Sequence, residues 1–326
     1  MKKYIIKGQG KNRLELNRGD ILLLAWLAKQ QVLKTDQLYK LYTEYIFEKI
    51  ELNPYSFKNR LRKFEKYKLV RSAKFAEGFT GDRFKYYTVG AAGVELLIKE
   101  KLLPKDFNKK SIYNHLKKEN ILHFLGAGQA AINIICATAD LENRREYVSL
   151  PPSQHRYEEW IPNIRSVGPT MNRGAKQAAT SRQNWSSNYK KPQGKWMTIV
   201  RPDWIIHKKT KGRNDRYLNI EFDTGSESLE TLQEKIWRYQ LLAENRPNEK
   251  HILLFVLPDK TFSKHYNFKQ IDKRIEKIFD LLATEENTKR SVEVNLTACV
   301  VQLDLAGYLG FQLLTALFEN EVDFIS

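Results

Sequence analysis

Cysteine is nearly absent: Cys136 and Cys299 are the two among 326 residues. Both stand in apolar surroundings without a partner at metal-ligand spacing, so they read as reduced core residues. Long apolar runs are missing too. Ile21 to Ala28 is too short to cross a bilayer, and Ala298 to Phe318 is interrupted by Asp304 and Gln312. Met1 to Lys11 has no apolar run of the length a signal peptide needs. These absences lead us to expect a cytoplasmic protein with no bilayer-spanning segment and no membrane partner.

Acid is scarce as well. The chain carries 55 Lys/Arg against 38 Asp/Glu, a net charge of +17. The imbalance is local: residues 1–112 hold 25 Lys/Arg against 12 Asp/Glu, while the rest hold 30 against 26. A small basic domain of this kind faces a polyanion, DNA or RNA, unless the lysines merely form a solvated surface. The length exceeds what one core usually serves, so two domains are expected, 1–112 and 113–326.

The N-terminal part reads as three helices and a hairpin. Asp20 is the expected cap of a buried helix, ILLLAWLAKQQ, and Thr35 the cap of DQLYKLYTEYIF. Asn53-Pro54 starts the third helix, a cap followed by proline at the first helical position. Its inner stripe is Phe57, Leu61 and Phe64, with Ser56, Asn59, Arg60, Arg62, Lys63 and Lys66 facing outward. Arg71 to Phe75 and Arg83 to Thr88 form the hairpin, and Ala91 to Lys101 a final helix. This is the winged helix-turn-helix order, in which the third helix enters the major groove and the hairpin touches the backbone or minor groove. The expected double-stranded DNA contacts are Tyr55, Ser56, Asn59, Arg60, Arg62, Lys63, Lys66, Arg83 and Lys85. A winged helix used for protein pairing is the competing reading.

Residues 102–113 look like a linker, and Asn114 to Asp140 like a long helix whose Gly126, Ala127, Gly128, Ala130 and Ala131 point to close packing. His115 and His123 on it read as packed or capping histidines. Residues 151–197 form a basic insertion, in which Trp160, Trp185 and Trp196 alternate with Arg165, Arg173, Lys176, Arg182, Lys190 and Lys191. It reads either as a nucleic-acid-binding flap or as an ordinary insertion.

Thr198 to Ile206 and Tyr217 to Phe222, split by a polar turn, predict an antiparallel hairpin. Thr224 is the expected cap of the next helix. If the hairpin is in register, Asp203 and Glu221 meet at one sheet end, as ligands of a hard divalent cation do. His251 to Leu257 predicts a central strand, Asn267 to Leu282 an amphipathic helix, and Val292 to Leu305 a β-rich segment. The fold class expected is α+β, with a mixed α/β sheet in the C-terminal part.

Pro202-Asp203 followed by Glu221-x-Asp223 resembles the PD-(D/E)XK nuclease superfamily, a restriction-endonuclease-like fold. With the N-terminal part, the chain resembles the replication-relaxation family of bacterial plasmids and integrative elements, whose Lys-x-x-x-Tyr pattern is filled by Lys235 and Tyr239. The resemblance implies Asp203 and Glu221 as Mg²⁺ ligands, and Asp203, Glu221, Asp223 and Lys235 as the catalytic set. Asp223 stands where the superfamily has lysine, and Lys235 would have to supply the missing positive charge. The expected function is therefore a DNA-binding accessory protein of plasmid or mobile-element replication or mobilisation, with a degenerate nuclease-like domain. The alternatives are an Mg²⁺-dependent endonuclease or nickase, and a transcriptional regulator. Origin DNA, replication or relaxosome proteins and a second copy of the chain are the candidate partners.

Overall fold

Asn17 opens the first long helix. Its side chain accepts from Asp20 N at 2.8 Å, while Asp20 Oδ2 accepts from Asn17 N at 2.7 Å. Two orphan amides are satisfied reciprocally, so Asp20 lies inside the helix and Asn17 is its cap. The computed structural model describes residues 4–7, 13–76, 83–107, 120–152, 154–162, 194–210, 214–260, 262 and 270–316.

A short antiparallel pair, β1 (Tyr4–Lys7) and β2 (Arg13–Leu16), precedes that helix, α1 (Arg18–Gln30). Leu14 and Leu16 turn inward from β2. After β3 (Leu33–Lys34), α2 (Thr35–Lys40) continues into a π-helical turn, Leu41–Ile46. Thr35 is the first helical residue and not the cap: Lys34 N donates to Gln37 Oε1 at 2.7 Å. Helix α3 (Pro54–Lys66) starts where expected, with Tyr55 N donating to Asn53 Oδ1 at 2.8 Å. Phe57, Leu61 and Phe64 are buried beneath it. Strands β4 (Val70–Ala76) and β5 (Arg83–Val89) form a hairpin in a three-stranded sheet of order β3-β5-β4, and α4 (Ala91–Lys99) follows.

One residue expected on the outer face of α3 is not there. Arg60 turns back to the carboxylate of Asp20, which is wholly buried. A buried carboxylate without a cation is costly, so the guanidinium is drawn inward.

The remaining elements build a five-stranded sheet and a separate two-stranded one. Helix α5 (Ile121–Ala137) is followed by β6 (Tyr147–Leu150), β7 (Tyr157–Pro162), β8 (Gly194–Val200), β9 (Trp204–Lys208) and β10 (Asp215–Phe222). Then come α6 (Leu229–Asn245), β11 (Glu249–Leu257), α7 (Ile271–Leu282), α8 (Glu285–Glu293), β12 (Thr297–Gln302) and α9 (Ala306–Thr315). The order of the five-stranded sheet is β12-β11-β10-β9-β6; β12, β11 and β10 are parallel, and β9 and β6 continue antiparallel. The two-stranded sheet is β7-β8. The mixed sheet and its helices make the fold α+β.

Period-two alternation sorts the side chains of β10. Leu218, Ile220 and Phe222 join the core under α5 and α9. Tyr217, Asn219 and Glu221 face α6, whose Leu232, Ile236 and Tyr239 form the core of the other face. Strand β11 is apolar on both faces, as a covered central strand must be. Gly126 lets α5 approach closely: a Cβ there would stand 2.3 Å from the Phe222 ring.

Several expectations change in detail. The run Thr198 to Ile206 is not one strand. Thr198 to Val200 completes β8, which pairs with β7, and β9 begins at Trp204. Pro202 has no N–H to give a ladder, and the break falls there. The helix after β10 is capped by Ser228, whose Oγ accepts from Thr231 N at 3.2 Å, and not by Thr224. In the segment expected to be β-rich, β12 is confined to Thr297–Gln302. The centre of the basic insertion, 163–193, and residues 108–113 of the expected linker lie outside the described residues.

The two cores meet through α5. Ile132 and Cys136 join the N-terminal core, while Val32 and Tyr86 join the C-terminal one. Gln37 Nε2 donates to Leu125 O at 2.7 Å across the junction.

Candidate functional site

Strand β10 ends in Glu221-Phe222, and its antiparallel neighbour begins just after Asp203, so register alone brings these residues to one sheet end. The link is direct: Phe222 N donates to Asp203 Oδ2 at 2.8 Å. Glu221, one residue earlier, points to the opposite face and is 4% exposed. Its Oε1 accepts from Tyr239 OH at 2.6 Å, and its Oε2 from Lys235 Nζ at 2.9 Å. Lys235 and Tyr239 are four apart on α6 and so share a face, which explains why one carboxylate takes both. Lys235 Nζ also lies 2.8 Å from Glu227 Oε2, in the turn before the helix.

The electrostatics follow from this crowding. Burial pushes the Asp203 carboxyl up to about 6, against the opposing pull of Lys235 and of the Phe222 amide. Burial, and then the charge of Asp203, push Glu221 up to about 7, with Lys235 and Tyr239 opposing. Burial alone would lower Lys235, but Glu221, Glu227 and Asp203 outweigh it and hold the ammonium protonated above its ordinary range. The site thus keeps a fixed positive charge against carboxyls that resist ionising.

Asp223 is placed differently from the other acids. Arg274 of α7 grips it, with Nε at 2.7 Å from Oδ2 and Nη2 at 3.3 Å from Oδ1. Gly225 N adds a bond to Oδ1 at 3.0 Å, and Arg274 Nη2 donates to Glu227 O at 2.8 Å. Gly225 has φ 78°, which suits glycine. Asp223 and Arg274 therefore pin the turn from β10 to α6.

His123, on α5, stands with Nε2 3.3 Å from Asp203 Oδ2 and edge-on to Phe222. Burial, then the Lys235 charge, lowers its pKa. From the sequence it reads as a packed or capping histidine. Nothing local could have joined it to Asp203, eighty residues on. Arg274 was missed for the same reason. At the far end of the sheet, His207, Tyr217 and His251 lie side by side on β9, β10 and β11, with Tyr217 stacked 4.4 Å from His207 and 5.4 Å from His251.

A divalent cation of the kind the resemblance implies needs free carboxylate oxygens converging at short range. Among the described residues, no group of three or more His, Cys, Asp or Glu side chains is arranged to hold a metal ion. Both Glu221 oxygens have donors, and Asp223 is committed to Arg274. As arranged, the donor set does not fit Mg²⁺.

The expected DNA contacts divide. Tyr55, Ser56, Arg62, Lys63 and Lys66 are exposed on α3, and Tyr55 is 66% exposed. Arg62 Nη1 donates to Asn59 Oδ1 at 2.9 Å. Arg60 is held by Asp20, and Lys85 lies 3.2 Å from Glu65. The side chain of Arg83 lies outside the described residues.

No helix among the described residues is long and apolar enough to cross a membrane. No curated protein and no solved structure matches the chain. A family model described as replication-relaxation matches residues 24–256, well over half of the length. The chain therefore belongs to the replication-relaxation family, which points to a role in the replication or relaxation of a plasmid or genetic element.

Proposed function

We propose that this protein is a double-stranded DNA-binding accessory factor, with residues 1–112 acting as a winged helix and the larger sheet as a nuclease-like scaffold that has lost cleavage. The observation that carries the reading is the outer face of α3. Lys58, Arg62, Lys63 and Lys66 are exposed there without an ion-pair partner among the described residues, over a fully apolar inner stripe. Unneutralised cations on one face of a capped helix are what phosphate contacts use, and Asn59 and Ser56 supply groups for base edges. The net charge of +17 supports the same reading.

The alternative, a metal-dependent endonuclease or nickase, has one observation in its favour: Lys235 reaches Glu221 beside Asp203. Against it stand the commitment of Asp223 to Arg274 and the double occupation of Glu221. Incubating the full chain with supercoiled plasmid and Mg²⁺ separates the two. Retarded but intact plasmid supports the accessory factor. Nicked plasmid, with nicking lost in Asp203→Ala, would replace it with the enzyme.

A further inference from the structure

We propose that the Lys235 ammonium is the resident cation of the acidic site, so that a divalent metal ion is kept out in the native chain. This deepens the scaffold reading above and rests on it. The geometry is that of an ion held by its ligands. Lys235 Nζ bridges Glu221 Oε2 at 2.9 Å and Glu227 Oε2 at 2.8 Å, and the remaining Glu221 oxygen takes the Tyr239 hydroxyl at 2.6 Å. Glu221 is almost fully buried, and Lys235 is 27% exposed. The ammonium therefore lies between the buried carboxylate and solvent.

The neighbouring groups complete the lock. Asp203 receives the Phe222 amide at 2.8 Å and faces His123 at 3.3 Å. Asp223 is gripped by Arg274. Each acid at this sheet end thus has a donor supplied by the chain itself. A divalent ion entering here would have to displace Lys235 or sit within a few ångströms of its charge, where repulsion in a poorly solvated recess is severe. The helix turn that places Lys235 and Tyr239 on one carboxylate thus fixes the chemistry of the site: the positive charge is covalently attached, and it cannot act as a Lewis acid on a phosphate.

Titrating the purified full chain with Mn²⁺ at pH 8, with free Mn²⁺ read by electron paramagnetic resonance, tests this. The native chain is expected to bind weakly. Lys235→Met, similar in shape without the charge, is expected to bind about tenfold or more tightly, as removing one like charge from a low-dielectric site allows. Adding Glu221→Gln to that variant is expected to abolish the gain. Native binding as tight as that of a folded Lys235→Met variant would overturn the proposal.

A measurement on the native chain keeps the test independent of that variant's folding. The lysine ammonium resonance of Lys235, assigned by its loss in Lys235→Arg, is expected to exchange slowly and to stay in place when millimolar Mg²⁺ is added. Its displacement by Mg²⁺ would overturn the proposal. No DNA enters either experiment, so failure here is distinct from failure of DNA binding by α3.

Discussion

Arg60 of α3 is clasped to the buried carboxylate of Asp20 in α1, through two guanidinium nitrogens on two carboxylate oxygens. Tyr42 OH adds a bond to Asp20 Oδ1 at 3.2 Å. Helix α3 is thereby oriented from behind. Arg60→Ala leaves a buried charge uncompensated and is expected to lower unfolding free energy by about 2–3 kcal/mol in urea melts. The double variant Asp20→Asn, Arg60→Met is expected to lose less. An unchanged midpoint for Arg60→Ala would show that the guanidinium is a surface group after all.

Asp203 carries a pH signature. Its folded carboxyl lies at about 6, above the ordinary 3.8, so the folded state binds a proton that the unfolded state has released. Stability from this group is complete below about pH 4 and falls as pH rises toward 6. Asp203→Asn removes the ionisation while keeping a carbonyl for the Phe222 amide. It is expected to be near neutral at pH 4 and stabilising by roughly 2 kcal/mol at pH 8. Equal effects at both pH values, by thermal unfolding, would count against a raised Asp203.

Gly126 tests the helix–sheet contact beside the site. A Cβ at 2.3 Å from Phe222 forces the ring or the helix to move. Gly126→Ala is expected to cost about 1–3 kcal/mol, and Phe222→Leu in the same chain to recover part of it. A melt indistinguishable from the native one would mean that α5 and β10 sit farther apart.

Much of this architecture was legible because its signals are local. Asn53-Pro54 marks a helix start whatever packs on it, and the stripe Phe57, Leu61, Phe64 gives its inner face. The apolar run His251 to Leu257 belongs to a central strand, since only a strand covered on both faces tolerates it. Asp203 and Glu221 were brought near each other by hairpin register, also a local property. What escaped was set by distance along the chain. Arg60 reads as one more surface cation unless Asp20, forty residues earlier, is known to be buried. His123 and Arg274 reach Asp203 and Asp223 only after α5 and α7 have docked on opposite faces of the sheet. Thr224 and Ser228 are both competent caps, and where the chain leaves the Asp223–Arg274 clamp decides between them.

The face of α3 gives the most direct test of the account. Fluorescence anisotropy of a labelled duplex, titrated with full chain over a range of salt, yields both affinity and its salt slope. The variant Asn59→Ala, Arg62→Ala, Lys63→Ala is expected to bind about 10–100-fold more weakly and to lower the slope of log K against log salt by about 2, one for each lost phosphate contact. Native affinity and slope in that variant, with folding intact, would contradict DNA recognition by this helix.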